Sequence, residues 1–401
     1  MNLSPELTAL RDEAMATSCE SWAIQKRWAL SRGHDRAGPC PCCGGTDRFS
    51  INVPKNVFNC RKCGISGEGV ISLVMATEHV EFVRACEIVT GRSAADPVDE
   101  QKMAELRRRA EREARARDAD AAAYRERARK DAHHHIWKRG IPVDLAGSQI
   151  VHDYLERRAI DLGELGPIGV LRAHPELSWT EEWVNPDTGN KGWRTLHTGP
   201  AMLAAVQMAD GRFGAVHMTW IDLGRDKGKL ILPPDETGKP RPSKKVRGIK
   251  KGGAIRLFTP PGARRIVMGE GIETTLTPLV HAREPDTAYW AGVDLGNMAG
   301  KALRVDGTMI HDQPDLDDVD CFLPPDWCEE LVYLGEGDDA SVHSREKCLR
   351  GLRRALWMRN EACKGQPGLP PLKGTYVPPP GAGEDLNDVA IAELREGDAV
   401  A

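Results

Sequence analysis

Cys40-Pro41-Cys42-Cys43-Gly44-Gly45 and Cys60-Arg61-Lys62-Cys63 carry two cysteine pairs with sixteen residues between Cys43 and Cys60. Thiolates separated by two residues can wrap one side of a tetrahedral ion, and a second such pair from the next hairpin completes the cage. The intervening Asp47-Arg48-Phe49-Ser50-Ile51-Asn52-Val53 alternates polar and apolar residues, turns at Pro54-Lys55-Asn56 and returns through Val57-Phe58-Asn59. This pattern predicts a zinc ribbon with Cys40, Cys43, Cys60 and Cys63 as ligands of one structural Zn²⁺. Cys42 is left out, because using it would leave one residue between the members of the first pair. So small a ribbon has little core of its own, so its metal is expected to supply folding free energy of about 10 kcal/mol.

Outward from the ribbon, the chain of 401 residues has room for two or three domains, with 40% hydrophobic and 28% charged residues. It has no run long and apolar enough for a membrane span and no signal-peptide pattern near its start. Eleven cysteines, an odd number clustered as metal ligands, fit a reducing cytoplasmic setting. The net charge of −4 hides a sorting along the sequence. Residues 222–265 hold thirteen Lys and Arg against four acids, whereas residues 306–339 hold twelve acids and no Lys or Arg. The first block suits a polyanion and the second can hold cations, although each also reads as a solvated loop.

Residues 4–31 have helical spacing, the ribbon comes next, and Val70 to Ala76 and Val80 to Val89 read as short helices packed on it. We place a first domain at 1–92 and a charged helical linker at 93–135, where Ala, Arg, Glu and Asp dominate. His133-His134-His135 ends that helix, and its side chains fan around the cylinder, which favours a structural role over metal binding. Beyond it lies a mixed α/β pattern, divided into 136–258 and 259–401. Strands are expected at 201–207, 213–221, 228–232, 254–258, 265–268 and 331–334, with helices from 272 and over 345–359. Their alternation argues for a small, largely parallel sheet. The Pro- and Gly-rich stretch 365–383 reads as a loop.

Two strand ends carry acids. Met268-Gly269-Glu270-Gly271 puts Glu270 where an apolar strand stops and a helix starts, the edge at which parallel sheets bind ligands. Leu331 to Leu334 runs into Gly335-Glu336-Gly337-Asp338-Asp339 in the same way, and carboxylates two residues apart can share a hard cation such as Mg²⁺. Glu384-Asp385-Leu386-Asn387-Asp388 either approaches the same edge or caps the last helix. Gly296-Asn297-Met298-Ala299-Gly300-Lys301-Ala302 is one residue short of a P-loop and lacks the hydroxyl residue after Lys, so a fused motor is not expected.

A Glu after one strand and an acidic pair after another resembles the Toprim domain shared by primases, topoisomerases and some nucleases. With the ribbon in front, the order resembles a DNA primase of the DnaG and phage type. Cys40-Pro41-Cys42-Cys43-Gly44-Gly45-Thr46-Asp47-Arg48-Phe49 is similar to the start of phage primase zinc domains. Leu171 to Pro175, Gly214 to Thr219 and Gly252 to Leu257 resemble the segment that precedes Toprim. The fold class implied is multidomain α/β: a β zinc ribbon, a helical linker, an α+β primase core and a C-terminal Toprim domain. The resemblance implies that Glu270 acts as acid, base or metal ligand, and that Glu336 and Asp338 hold Mg²⁺ or Mn²⁺, with Asp339 in reserve. The family pair is usually Asp-x-Asp, and Glu336 lengthens one arm. It further implies RNA primer synthesis from ribonucleoside triphosphates on single-stranded DNA in a phage or mobile element, with any helicase a separate partner. Arg48 and Lys62 in the ribbon, and Lys244, Lys245, Arg247, Lys250 and Lys251 in the basic block, are the expected contacts to template and nucleotide. Phe49 and Phe58 either stack on bases or form the ribbon core. A Toprim nuclease and a non-enzymatic DNA-binding replication protein remain alternatives.

Overall fold

The computed structural model describes residues 4–33, 35–96, 100–163, 165–184, 191–305, 308–318, 320–337, 342–366, 368–381 and 383–400. Two compact units emerge, Met1–Ala123 and Tyr124–Ala401. In the first, Ser4 and Ser18 cap the helices α1 (Pro5–Met15) and α2 (Cys19–Gln25), each hydroxyl accepting a backbone N–H of the first turn. The ribbon strands β1 (Asp35–Cys40), β2 (Gly44–Asn52), β3 (Val57–Cys60) and β4 (Ser66–Glu68) form an antiparallel sheet in that order. Helices α3 (Gly69–Glu78) and α4 (Phe82–Thr90) come after them. Phe49 and Phe58 are buried with Leu10, Trp22, Ile51, Leu73 and Val74, and Trp28 meets Phe49 edge-on at 5.8 Å. The two phenylalanines therefore build the core and offer no face to a base.

The charged segment forms the helix α5 over Glu100–His135, and the end of that helix packs as part of a folded unit. Ala132 is buried and His133 packs on the Phe213 ring at 5.0 Å, so residues from Tyr124 onward belong to the second unit. Of the histidine run, His133 packs on the unit while His134 and His135 are exposed.

In the second unit, β5 (Ile141–Pro142), α6 (Gln149–Glu156), β6 (Leu171–Val184), β7 (Lys191–Gln207), β8 (Phe213–Trp220) and β9 (Lys244–Gly248) come first. Their strands form a wholly antiparallel sheet in sequence order. The expected parallel character is confined to the C-terminal elements. These are β10 (Ile255–Phe258), β11 (Arg265–Gly269), α7 (Ile272–His281), β12 (Thr287–Ala291), α8 (Leu295–Ala299), β13 (Ala302–Val305), β14 (Thr308–Pro314), β15 (Glu330–Leu334), α9 (Val342–Gly365), β16 (Lys373–Val377) and α10 (Leu386–Val400). This second sheet runs β10-β12-β11-β15-β16, parallel except for β10. Beyond their first residues, Arg265, Thr287 and Glu330, its inner strands are almost wholly apolar, as strands covered on both faces are.

Three expectations need correction. The boundary at 258/259 cuts beside β10, which pairs with β12 across it, and one core joins Tyr154, Met202 and Ile255 to Leu276 and Val332. Residues 228–232 make only the isolated bridge Ile221↔Lys229, because a turn precedes them and Pro233-Pro234 comes directly after. The stretch read as a loop contains β16, an edge strand, where nearby prolines are well tolerated.

Candidate active site

The four sulfurs of Cys40, Cys43, Cys60 and Cys63 lie within 4.8 Å of one another, a cluster that fits a zinc ribbon. Burial opposes ionisation of Cys60, but the N–H groups of Cys63 and Lys62 and the neighbouring thiols outweigh it and hold the group at about 6. Cys42 points elsewhere, its thiol 3.6 Å from the Ala76 carbonyl. Lys62 is exposed, and Arg48 lies over Gly45, where a Cβ would meet its Nε at 2.1 Å.

The second site sits where the strand order reverses. From β11 the chain passes through α7 to β12 on one side, and β15 later adds to the other side of β11. Such a reversal opens a crevice beyond the carboxyl ends of the two strands, and Glu270 and Glu336 come just after those ends. The Oε1 of Glu336 accepts from the Gly271 N–H and its Oε2 from the Thr274 hydroxyl, each at 3.3 Å, so the two strand ends are tied together. Asp385 joins them. Its carboxylate accepts the Asp388 N–H at 2.9 Å and so caps α10, while Asp385 also lines the crevice. Both sequence alternatives for this acid hold at once. Gly337 makes the approach possible, since a Cβ there would meet the Glu384 carbonyl carbon at 2.1 Å. Asp338 and Asp339 lie outside the described residues.

The cavity at this edge measures about 400 Å³, with Glu270, Glu336 and Asp385 sharing its walls with Arg158, Lys227, Lys229 and Lys244. Beneath it Glu273 is fully buried, its carboxylate 3.2 Å from Lys229, 3.3 Å from Lys244 and bonded by the Tyr154 hydroxyl. Burial alone would raise Glu273, but Lys229, Lys244 and Arg158 hold it well below the usual carboxylate range. Burial and the neighbouring lysine charges lower His217 to about 3, so it is neutral at physiological pH. The Nε and Nη1 of Arg158 and the Nδ1 of His217 are buried with no hydrogen-bond partner among the described residues. The two Arg158 donors call for an acceptor, and an anion in the cavity would supply one.

Because buried Glu273 neutralises two half-buried lysines, Glu273→Gln is expected to cost about 2–3 kcal/mol of stability in urea unfolding at neutral pH. The depressed group contributes stability above its unfolded value and loses it as pH falls through the folded one. The gap between wild type and variant should therefore narrow in acid.

Burial and the charges of Glu270 and Asp385 push Glu336 up to about 7. Surplus negative charge of this kind is what a divalent cation relieves, and all-oxygen donors suit Mg²⁺ or Mn²⁺. Among the described residues these oxygens do not converge on a point as the four sulfurs do. In the metal-free protein the raised group contributes stability below the usual carboxylate range, and that contribution is lost as pH rises through about 7. Mg²⁺ affinity should accordingly rise with pH up to about 7 and then level off, measured by calorimetric titration with release of a proton on the acid side.

Of the basic block's five expected contacts only Lys244 reaches this cavity. Strand alternation in β9 turns Lys245 to the other face, over the Trp179 ring and onto the Thr180 carbonyl, and Arg247 lies over Trp193 at 5.7 Å. Lys250 pairs with Asp294 at 2.5 Å and Lys251 with Asp320 at 3.9 Å. Arg158, Lys227 and Lys229 stand in the cavity in their stead. Nothing local in the sequence marks Arg158, which arrives from the turn after α6.

Residues 127–257 match a family described only as a domain of unknown function, DUF7146, which covers less than half of the chain. No curated protein matches. Among the solved structures that align with this chain are two primase structures. The zinc-binding and RNA polymerase domains of the Aquifex aeolicus primase align at 15% identity and a TM-score of 0.33, over 98% of this chain and 85% of that one. A DNA primase domain from Pseudomonas aeruginosa aligns at 12% identity and a TM-score of 0.35, over 70% of this chain and 76% of that one. Among the described residues no helix is long and apolar enough to cross a membrane.

Proposed function

We propose that the chain is a primase-type nucleotidyltransferase, with a Toprim-like catalytic region, that makes short RNA primers on single-stranded DNA in phage or mobile-element replication. The observation that carries this reading is one cavity lined by both kinds of charge: the acids Glu270, Glu336, Asp385 and Asp388, the last paired with Lys227 at 2.6 Å, and the cations Arg158, Lys227, Lys229 and Lys244. The acids would hold Mg²⁺ or Mn²⁺, with Asp338 as a further ligand, and bound metal would stabilise the attacking 3′ oxygen and the leaving pyrophosphate. The cations would receive the triphosphate, with Glu273 fixing the Lys229 and Lys244 ammonium groups. In the ribbon, Arg48 and Lys62 would meet template phosphates, and zinc would hold the four cysteines. A replicative helicase would be a separate cytoplasmic partner.

The test is incubation of the full chain with single-stranded DNA, labelled ribonucleotides and Mg²⁺ or Mn²⁺. Short labelled oligomers are expected. Cleavage of the DNA without nucleotides would replace this reading with a nuclease. Neither product on any template, with a helicase supplied, would favour a DNA-binding protein.

A further inference from the structure

A second cavity of about 720 Å³ opens on the other face of β9, between that strand, the β6–β7 hairpin arm and the C-terminal part of α5. Tyr124 and Trp193 line it and are 68% and 67% exposed, although large aromatic side chains are ordinarily drawn inward. Neither serves the core of its unit. Around them stand Arg127, Arg247 and His135, against the single acid Asp131. Arg127 and Arg247 make no ion pair among the described residues, whereas Arg194 and Arg241 nearby are both bound to Glu181. The Arg247 guanidinium instead covers one side of the Trp193 ring, leaving most of that ring in solvent.

We propose that this groove binds single-stranded nucleic acid, with unpaired bases stacking on Trp193 and Tyr124 and the backbone phosphates meeting Arg127 and Arg247. An exposed ring backed by a guanidinium is a stacking platform indifferent to sequence, because every base offers a π face. Charge selects the occupant: the unpaired cations suit a polyanion and are a poor match for an apolar helix or a basic peptide. Continuity gives the groove a purpose. Lys244, which lines the carboxylate cavity, and Arg247 are three residues apart on β9, about 10 Å along an extended strand. β9 also ends the order of its sheet, so a strand of nucleic acid can pass around that edge. The groove would hold a single strand a few nucleotides from the acids.

Binding of a labelled oligothymidylate to the full zinc-loaded chain, followed by fluorescence anisotropy without nucleotides or Mg²⁺, tests the groove apart from the chemistry of the carboxylate cavity. Trp193→Ala should weaken binding about tenfold, and Trp193→Phe should keep it within about twofold. Arg247→Ala should reduce the salt dependence by about one phosphate contact. Arg304→Ala, which removes an exposed charge on the β13–β14 hairpin, should bind as wild type does. A duplex of the same length should bind more weakly and be insensitive to Trp193→Ala. The proposal is overturned if folded Trp193→Ala binds the single strand like wild type, or if Arg304→Ala loses as much as Arg247→Ala. Since no nucleotide or divalent ion is present, failure here leaves the transfer reaction standing, and failure of primer synthesis leaves this result standing.

Discussion

Glu270→Gln is expected to reduce primer formation on the order of a thousandfold, because one metal-directed charge is worth several kcal/mol in the transition state. Gln keeps the shape of the side chain, and Glu270 is half-exposed at the end of β11, so the fold should be retained. A second readout separates this from a general loss. The Glu270 charge is one of the causes that hold Glu336 at about 7, so the variant should show Glu336 titrating lower, observable by NMR of the carboxyl carbon. Activity within a few fold of wild type would remove Glu270 from the chemistry. An unchanged Glu336 titration would mean that the two carboxylates do not share a site.

Removing the zinc, by chelation or by Cys60→Ser, is expected to have the largest effect on stability, on the order of 10 kcal/mol of folding free energy in the first unit. Cys40 and Cys60 are buried in the same core as Phe49, Phe58 and Trp22, so the loss reaches α1 to α4. Calorimetry on the full chain should show the transition of the first unit disappearing, while that of residues 124–401 stays. An apo chain melting like the zinc-loaded one would show that the helices alone hold the ribbon. Four thiols packed as closely as 3.6 Å without a cation make that outcome hard to reconcile with their chemistry.

The ribbon was legible because its chemistry is local: ligand spacing, hairpin alternation and turn residues lie within one short stretch. Glu270 and Glu336 were legible for a related reason, since an apolar parallel strand that ends in glycine and acid declares both its burial and its ligand-binding edge. What the sequence hid depends on tertiary crossing. Arg158 enters from a turn more than a hundred residues before Glu270, and Lys229 enters from a segment that resembles a strand but forms only a bridge. Lys244 and Lys245 are indistinguishable by composition, and only the alternation of β9 sends one to the acids and the other over Trp179. β6 was obscured because Pro175 and Glu176 break its apolar alternation, at the register shift between His174 and Leu177. Asp385 looked like a helix cap and is one. Its second role appears only when Gly337 lets the 383–385 segment pack on the end of β15.

The proposed function requires that the acids at the switch point of the parallel sheet hold a divalent cation. Mn²⁺ titration of the zinc-loaded full chain at pH 8, monitored by electron paramagnetic resonance, tests it most directly, comparing wild type with a Glu270→Gln, Glu336→Gln double variant. Saturable Mn²⁺ binding is expected in wild type and is expected to be lost in the variant while the ribbon keeps its zinc. Equal Mn²⁺ binding by the two proteins, or none by wild type, would contradict it.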